Sequence, residues 1–555
     1  MYGKNIRPPF YDIDLVTFYF DCITRICVDV GLTCLPETGN LAKPMNFAKM
    51  LSPLKHPGRL CTCLHYLRIR HFGISAPART KASRERSIPQ RYIGQPTSYT
   101  HRHLLRDDEI TPGITSQEFR SRRQYLMSAI KKSMYGDCPN HVAVILATDT
   151  KFMTDEIPYP FRQNTDFLYL CGFQEPSSAL VLESIPGSSL PDHKATLFVP
   201  QRDADRELWD GPRAGVDGAI SFIGVDNANV ISDLSEYLDQ YASRDKLVVW
   251  YDVFRNVNSQ LHKEVVGNLV TPCRNKGHTV NILQQLVHSI RVIKSPAEIK
   301  LMCESCSIAS QAFIDVMRFT KPNVDEAHLY AKMDFEVRLD GAEFLAYPPV
   351  VAGGNRANTL HYVKNNQIVE DGDMVLMDAG CEYHGYASDI TRTWPVNGRY
   401  SDAQASVYQS VLDVQQECLN MCEVGTTLDQ IYHRMLDGLG QKLQDLGIVP
   451  RSMNNAELIR AAKKYCPHHV GHYLGMDTHD TPRVSRSNQL QAGMVITIEP
   501  GLYLPANNND IPQELRGIGI RIEDDVLIRE GAAEVLTAEC PKEMSQIESI
   551  MSGNS

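Results

Sequence analysis

Four short apolar segments in the C-terminal half of the chain each carry one carboxylate. They are Asp378 in VLMDAG, Asp389 in SDITRTW, Glu499 in ITIEPG and Glu523 in GIRIEDD. Their composition and alternation predict β-strands. A carboxylate that is buried in such a strand must be paired, protonated or bound to a metal ion, because burying a free charge is costly. Asp378 and Asp389 are near enough in sequence to lie on two arms of a hairpin, with both carboxylates facing inward.

A histidine-rich segment lies between the second and third of these strands. It reads HHVGHYLGMDTHD and contains His468, His469, His472 and His479, interleaved with glycines in a way that core packing explains poorly. Four carboxylates with one imidazole suit Mn²⁺, Co²⁺ or Fe²⁺ better than a Cys-rich zinc site does. Two ions about 3.5 Å apart, sharing bridging carboxylates and a hydroxide, would use all four carboxylates. The pattern therefore predicts hydrolysis of an amide or an ester.

These five segments together resemble the ligand motifs of the pita-bread metallopeptidases, and within that family the aminopeptidase P group of Xaa-Pro aminopeptidases. The resemblance covers roughly residues 110–540 and includes FRQNTDFLYLCGF, which begins at Phe161. The basic leader and the segment IPQRYIGQP, which begins at Ile88, resemble the mitochondrial branch of the group. The resemblance implies an α/β N-terminal creatinase-like domain followed by an α+β pita-bread metallopeptidase domain.

The resemblance also assigns metal ligands. Asp378 would hold one ion, Asp389 and Glu523 would bridge two ions, and His472 and Glu499 would hold the second. Two divalent metal ions are implied, with Mn²⁺ expected and Co²⁺, Fe²⁺ or Zn²⁺ as alternatives.

Six further residues match positions that the family uses around its substrate. His361 would act near the leaving group and the substrate, and His468 and His479 would donate hydrogen bonds to the developing oxyanion and the proline carbonyl. Substrate contacts are implied for His361 and His479, and also for Tyr347, Tyr503 and Arg521. Plain packing or an ion pair is the alternative for those last three residues.

The implied activity is hydrolysis of the N-terminal Xaa-Pro bond of a peptide. A tertiary amide has no N–H, so preference for proline would come from the shape of the pocket. A prolidase, which shares the ligands but cleaves only Xaa-Pro dipeptides, is an alternative. An inactive pita-bread protein that acts as a binding module is a second alternative, but such proteins typically lack a ligand and all five are present here.

Composition excludes several other classes of protein. The 555-residue chain has a formal net charge of −10, which argues against coating nucleic acid. Its longest apolar stretch, residues 15–35, is interrupted by Asp21, Arg25 and Asp29, so we expect no membrane span. Fifteen cysteines are too few for a disulfide scaffold and indicate reduced thiols in an intracellular compartment.

The N-terminal hundred residues differ in composition from the rest. Residues 50–106 contain eleven Lys or Arg and one acidic residue, Glu85, which is typical of a transit peptide, although a basic linker is the alternative. Residues 1–49 carry five acidic residues, so we expect the functional start at Met50 and an extension upstream of it. These features predict a mitochondrial protein, in the matrix, with the cytoplasm as the alternative. The resemblance further implies a homodimer.

Two folded regions follow, at residues 107–288 and 289–545. In the first, we expect a helix capped by Ser116 and no catalytic cluster, hence a scaffold domain. Five apolar runs predict its strands, at 142–147, 167–170, 179–182, 195–199 and 247–251. The second begins with SPAE at Ser295, a capping box with proline at the first helical position. Cys303 and Cys306 are interpreted as thiols on that helix rather than metal ligands.

Overall fold

The computed structural model of the protein describes residues 87–553. The extension 1–49, the start at Met50 and residues 50–86 of the leader lie outside these residues and stay predictions. The boundary expected between residues 288 and 289 falls within the helix Gln284–Arg291 and also stays a prediction. None of the helices in 87–553 combines the length and apolar character that crossing a bilayer requires.

The N-terminal region contains a mixed six-stranded sheet between layers of helices. Across the sheet the strands are Thr279–Asn281, Leu247–Trp250, Asn140–Leu146, Ala179–Ser184, His193–Val199 and Asn227–Val230. Its helices are Ser116–Lys132, Thr165–Cys171, Ala204–Asp210, Gly215–Gly218, Leu234–Ala242, Ser259–Val265, Thr271–Asn275 and Gln284–Arg291. Val142 and Val144 pack into one core while Ala143 and Ile145 pack into the other, because successive side chains point to opposite faces.

Two expectations for this region are wrong. The run 167–170, predicted as a strand, lies in the helix Thr165–Cys171: the Asn164 side chain accepts a hydrogen bond from the Phe167 N–H at 3.1 Å, and Gly172 ends the helix with φ of 69°. A four-residue apolar run has too little periodicity to distinguish a buried helix from a strand. Thr115, not Ser116, caps the first helix, by accepting from the Glu118 N–H at 3.2 Å. The other four predicted strands are confirmed.

The C-terminal region packs long helices against small antiparallel sheets. The main strands are Val350–Gly353, Met374–Ala379 and Ile390–Pro395 in one sheet, Val495–Ile498, Asp524–Leu527 and Glu534–Val535 in a second, and Gly501–Tyr503 with Gly519–Arg521 as a pair. The helices are Pro296–Phe319, Glu326–Leu339, Asp402–Leu419, Leu428–Asp445, Asn455–Tyr465 and Met544–Met551. An isolated β-bridge between Thr391 and Glu523 joins the first sheet to the residue that precedes the strand Asp524–Leu527 of the second sheet.

The described residues also contain nine shorter strands. They are Glu109–Thr111, Ile114–Thr115, Phe152–Thr154, Ile157–Pro158, Val324–Asp325, Phe344–Leu345, Ile368–Val369, Cys381–Tyr383 and Tyr386–Ala387. The capping box at Ser295 is confirmed at the start of Pro296–Phe319. Cys303 is half-buried and Cys306 buried on that helix, both as free thiols, as expected.

Residues 88–96, which we call the anchor segment, are packed against the N-terminal sheet region. Arg91 donates to the carbonyls of Arg213 at 2.8 Å and Ala214 at 2.5 Å. The Gly94 N–H donates to Glu175 Oε1 at 3.1 Å. The C-terminal end of the expected leader is therefore part of the folded protein.

We predict that Gly94→Ala destabilises the protein. A methyl group there would lie 2.5 Å from Glu175 Oε1, which is buried and also accepts from the Ala214 N–H at 2.6 Å, so the carboxylate has little freedom to move. Overpacking of this kind costs about 1–3 kcal/mol. Thermal or chemical unfolding measures the loss, and Gly267→Ala, which meets nothing within 4 Å, is the control. Equal stability of the two variants would contradict the prediction.

Candidate active site

The first two acidic segments are neighbours in one antiparallel sheet. The strand Met374–Ala379 pairs with Ile390–Pro395 in a register that sets Asp378 opposite Thr391, with Asp389 immediately before the second strand. Both carboxylates lie within hydrogen-bonding distance of the Tyr347 hydroxyl, so they face the same space. The predicted hairpin geometry is confirmed.

The remaining predicted ligands lie around this pair. Asp389, His472 and Glu523 are all buried or half-buried, and one potential ligand atom from each lies within 4.8 Å of the other two. His472 Nε2 is 3.4 Å from Asp389 Oδ2 and 3.9 Å from Glu499 Oε1. Asp378 is linked to these residues by the Tyr347 hydroxyl, which contacts both Asp378 and Asp389. The structure therefore brings together all five residues that the sequence analysis singled out.

Hydrogen bonds fix the orientation of the His472 ring. Its Nδ1 lies 3.1 Å from the Tyr473 carbonyl oxygen, which can only accept, so Nδ1 carries a proton and donates it there. Nε2 is thereby directed at the carboxylates, as in a metal-binding histidine. Burial lowers the pKa of His472, but the hydrogen bond and charge of Asp389 outweigh it and raise the pKa to about 9.

The electrostatics of the cluster favour cations. Burial, opposed by His472, raises the pKa of Glu499 to about 7. Burial and the neighbouring carboxylates raise the pKa of Glu523 well above its ordinary value. Burial, opposed by Arg521, also raises the pKa of Asp378. Four acidic side chains thus lie close together, and the Arg521 guanidinium contacts one of them, Asp378. Divalent ions would supply the positive charge that this cluster of carboxylates lacks, so the donor set fits a metal centre.

Tyr347 connects the two hairpin carboxylates. Its hydroxyl donates to Asp378 Oδ1 at 2.6 Å and also contacts Asp389 Oδ1. Burial and these carboxylates raise the pKa of Tyr347 well above its ordinary value, so the phenol keeps its proton. The sequence analysis expected this side chain to contact substrate, and the structure adds a contact with two expected ligands.

A chain of hydrogen bonds runs from Asp378 to His468. Arg521 donates to Asp378 Oδ2 at 2.5 Å and to the Tyr503 hydroxyl oxygen at 2.8 Å. The Tyr503 hydroxyl lies 2.9 Å from His468 Nε2, and His468 Nδ1 lies 2.8 Å from the His469 carbonyl oxygen. Burial, followed by Arg521, lowers the pKa of His468 to about 4, so the ring is neutral. His468 therefore accepts from Tyr503 and holds it in place.

His479 and His361 lie at the exposed rim of the site. The His479 ring is 4.5 Å from the His472 ring, and the two planes make an angle of 73°. Burial and then His472 lower the pKa of His479, and His361 contributes to the same shift, so these rings share one region. Their exposure leaves them accessible to a substrate.

The sequence analysis missed two polar residues that hydrogen-bond to the expected ligands. The Thr391 hydroxyl donates to Glu523 Oε2 at 2.6 Å, and Asp525 Oδ2 accepts from the Asp389 N–H at 2.9 Å. A signal for Thr391 was available, because residues 389 and 391 of an alternating strand share a face. The same rule places Asp525 on the face of Glu523, but its partner, the Asp389 N–H, is distant in sequence and was not predictable from a local pattern.

Two family descriptions match this chain. Residues 300–530 match "Metallopeptidase family M24", and residues 119–250 match "Aminopeptidase P, N-terminal domain". These matches confirm the family resemblance and the expected order of an N-terminal α/β domain and a pita-bread metallopeptidase domain.

Curated relatives match over most of their length. Xaa-Pro aminopeptidase 3 of Homo sapiens is 53% identical over 469 residues, which make up 84% of this chain and 92% of the human protein. Intermediate cleaving peptidase 55, mitochondrial, of Arabidopsis thaliana is 40% identical over 84% of this chain and 88% of the plant protein.

Solved structures show the same fold. Zinc-substituted aminopeptidase P of E. coli in complex with product has a TM-score of 0.72 at 34% identity, covering 80% of this chain and 99% of that one. Icp55 of Saccharomyces cerevisiae has a TM-score of 0.71 at 34% identity, covering 81% of this chain and all of the other.

We predict that alanine variants of two neighbouring histidines differ in metal content. His472→Ala should lose bound metal, because its Nε2 is directed at the carboxylates. His479→Ala should keep its metal and its fold, because its ring is at the rim. Elemental analysis after dialysis measures the difference. A metal-depleted His479→Ala beside a loaded His472→Ala would reverse the two assignments.

Proposed function

This chain belongs to the Xaa-Pro aminopeptidases of metallopeptidase family M24, and we propose that two divalent metal ions bound by its buried carboxylates carry out the reaction. The observation that carries the proposal is the cluster of Asp389, His472 and Glu523, with potential ligand atoms within 4.8 Å of one another. The excess of carboxylates over positive side chains around this cluster supports more than one cation. The substrates are peptides with proline in the second position.

We assign the metal ligands as the sequence analysis expected. Asp378 would hold one ion, Asp389 and Glu523 would bridge both, and His472 and Glu499 would hold the other. The oxygen-rich donor set supports Mn²⁺, with Co²⁺, Fe²⁺ or Zn²⁺ as alternatives. When bound, the ions lower the pKa of water and polarise the scissile carbonyl.

The protein's own side chains orient the substrate and stabilise charge. His479 donates a hydrogen bond to the developing oxyanion, a type of contact whose loss costs about 10²–10³ in rate. His361 lies at the same rim and contacts the substrate near its leaving group. Tyr503, held between Arg521 and His468, lines the pocket, and preference for proline comes from the shape of this aromatic and imidazole surface.

A comparison of two peptides tests this function. We expect a tripeptide of the Xaa-Pro-Yaa type to lose its first residue, and the dipeptide Xaa-Pro to be a poor substrate. The opposite preference would identify a prolidase. Failure to cleave either peptide with two equivalents of metal bound would indicate an inactive binding protein.

We predict that Asp389→Asn lowers activity at least about 10²-fold. The substitution keeps the volume but removes a charge shared by both ions, so the second ion binds less tightly. Steady-state kinetics with metal analysis measures the effect, and Asp205→Asn, at an exposed position on a helix of the N-terminal region, is the control. Full turnover of Asp389→Asn with two metals bound would show that another carboxylate bridges them.

We further propose that the protein is mitochondrial, in the matrix, rather than cytoplasmic. The basic composition of residues 50–86 supports this location, and so does the name of the Arabidopsis relative. The contacts of Arg91 and Gly94 support an end of the removable leader upstream of residue 91, because these residues belong to the folded protein. A homodimer is also proposed, and Phe152, Met153 and Ile157 form an exposed apolar hairpin that such a dimer would bury.

We predict that residues 50–106 direct a fluorescent reporter to mitochondria. Arginine-rich, acid-poor segments of this kind act as import signals. Microscopy of cells that express the fusion measures the location, and the same fusion with Arg59, Arg68 and Arg70 replaced by glutamine is the control. A diffuse cytosolic signal from the unmodified fusion would contradict the prediction.

A further inference from the structure

The loop 475–481, which carries His479, is tied down by buried ion pairs. Arg291 Nη2 donates to Asp480 Oδ1 at 2.5 Å, and Lys294 Nζ donates to Asp480 Oδ2 at 3.2 Å. The side chains of Arg291, Lys294 and Asp480 are each at most 2% exposed. Buried pairs of this kind hold one geometry, because breaking them leaves a charge without a partner.

The N-terminal region supplies the other side of this network. Asp166, on the helix Thr165–Cys171, accepts from Arg291 Nη1 at 2.5 Å. The Thr165 hydroxyl donates to Asp477 Oδ1 at 2.6 Å, and Arg291 Nη2 reaches Asp477 Oδ2 at 3.1 Å. One guanidinium therefore joins a helix of the scaffold domain to both acidic residues that flank His479.

The backbone of the loop has a conformation that needs such support. Thr481 has φ of +47°, a region that β-branched residues rarely adopt unless their surroundings impose it. Gly475 is equally constrained, because a methyl group there would lie 2.6 Å from Asp480 Oδ2. The loop is thus held in one shape by its contacts rather than by local preference.

We propose that Arg291 is a positioning residue for catalysis, which fixes His479 beside His472 by holding Asp477 and Asp480. The inference rests on the proposed function of His479 and extends it: the N-terminal domain takes part in the catalytic step through Asp166 and Arg291. Arg291 is buried away from solvent and acts only through the two carboxylates. Purely structural ion pairs would instead stabilise the fold without any specific link to His479.

The first experiment compares two arginines that bind the same carboxylate. Arg291→Lys keeps the charge but loses the fork that spans three acidic residues. Arg255→Lys is the matched control, because Arg255 Nη1 donates to Asp166 Oδ2 at 2.7 Å while its side chain is 39% exposed. With both variants fully loaded with metal, we expect kcat on an Xaa-Pro tripeptide to fall about 10- to 10²-fold for Arg291→Lys. Arg255→Lys should stay within about 2-fold of the unmodified enzyme.

A double-mutant cycle with His479→Ala separates positioning from stability. If Arg291 acts through His479, Arg291→Lys should lower kcat no more than about 2-fold in the His479→Ala background. Multiplicative losses in the double variant would overturn the proposal, as would loss of metal from Arg291→Lys or an equal loss in Arg255→Lys.

A milder variant keeps the test valid if Arg291→Lys does not fold. Thr165→Val removes the hydroxyl that donates to Asp477 and should lower kcat in the unmodified background but not in His479→Ala. If the losses in kcat caused by Thr165→Val and His479→Ala multiply in the double variant, the inference is again overturned. Failure of the unmodified enzyme to cleave the tripeptide would instead contradict the proposed function, so the two failures are distinguishable.

Discussion

The burial of four carboxylates in one small space is the constraint on which the C-terminal domain depends. Asp378, Asp389, Glu499 and Glu523 repel one another, and Arg521 alone cannot neutralise them. Hydrogen bonds from neighbouring polar groups orient Asp378, Asp389 and Glu523. The Thr391 hydroxyl donates to Glu523, and the Tyr347 hydroxyl donates to Asp378. These hydrogen bonds orient the carboxylate oxygens.

Three consecutive acidic residues beside the site, at positions 523–525, have different hydrogen-bond and ion-pair partners. Glu523 belongs to the cluster, whereas Asp524 pairs with Arg392 at 2.7 Å and Lys542 at 2.6 Å. Although burial opposes ionisation, these two cations hold the pKa of Asp524 well below its usual range. Asp525 instead accepts the backbone N–H of Asp389. Alternation along the strand therefore gives adjacent carboxylates different partners.

Local patterns in the sequence were sufficient to predict the segments that carry the proposed ligands. Asp378 in an apolar strand and the capping box at Ser295 are recognisable because their cause lies within a few residues. Phe167 was assigned to a strand because its run is too short to show helical periodicity. The contact of Arg291 with Asp480 joins residues 189 positions apart, and no local pattern indicates it. Long-range ion pairs are thus the part of the site that a single sequence does not reveal.

The order of the ligands along the chain has a consequence for biosynthesis. Asp378 is bonded to Arg521, which lies 143 positions later, and Glu523 follows Arg521 by two residues. At about 5–20 residues added per second, the ribosome needs several seconds or more to make this span. A nascent chain that has exposed only the first hairpin offers a metal ion two of the proposed carboxylate ligands, Asp378 and Asp389, and lacks His472. The proposed set of five ligands is therefore complete only after Glu523 has been synthesised, so we expect metal capture to follow the synthesis of both halves of the site.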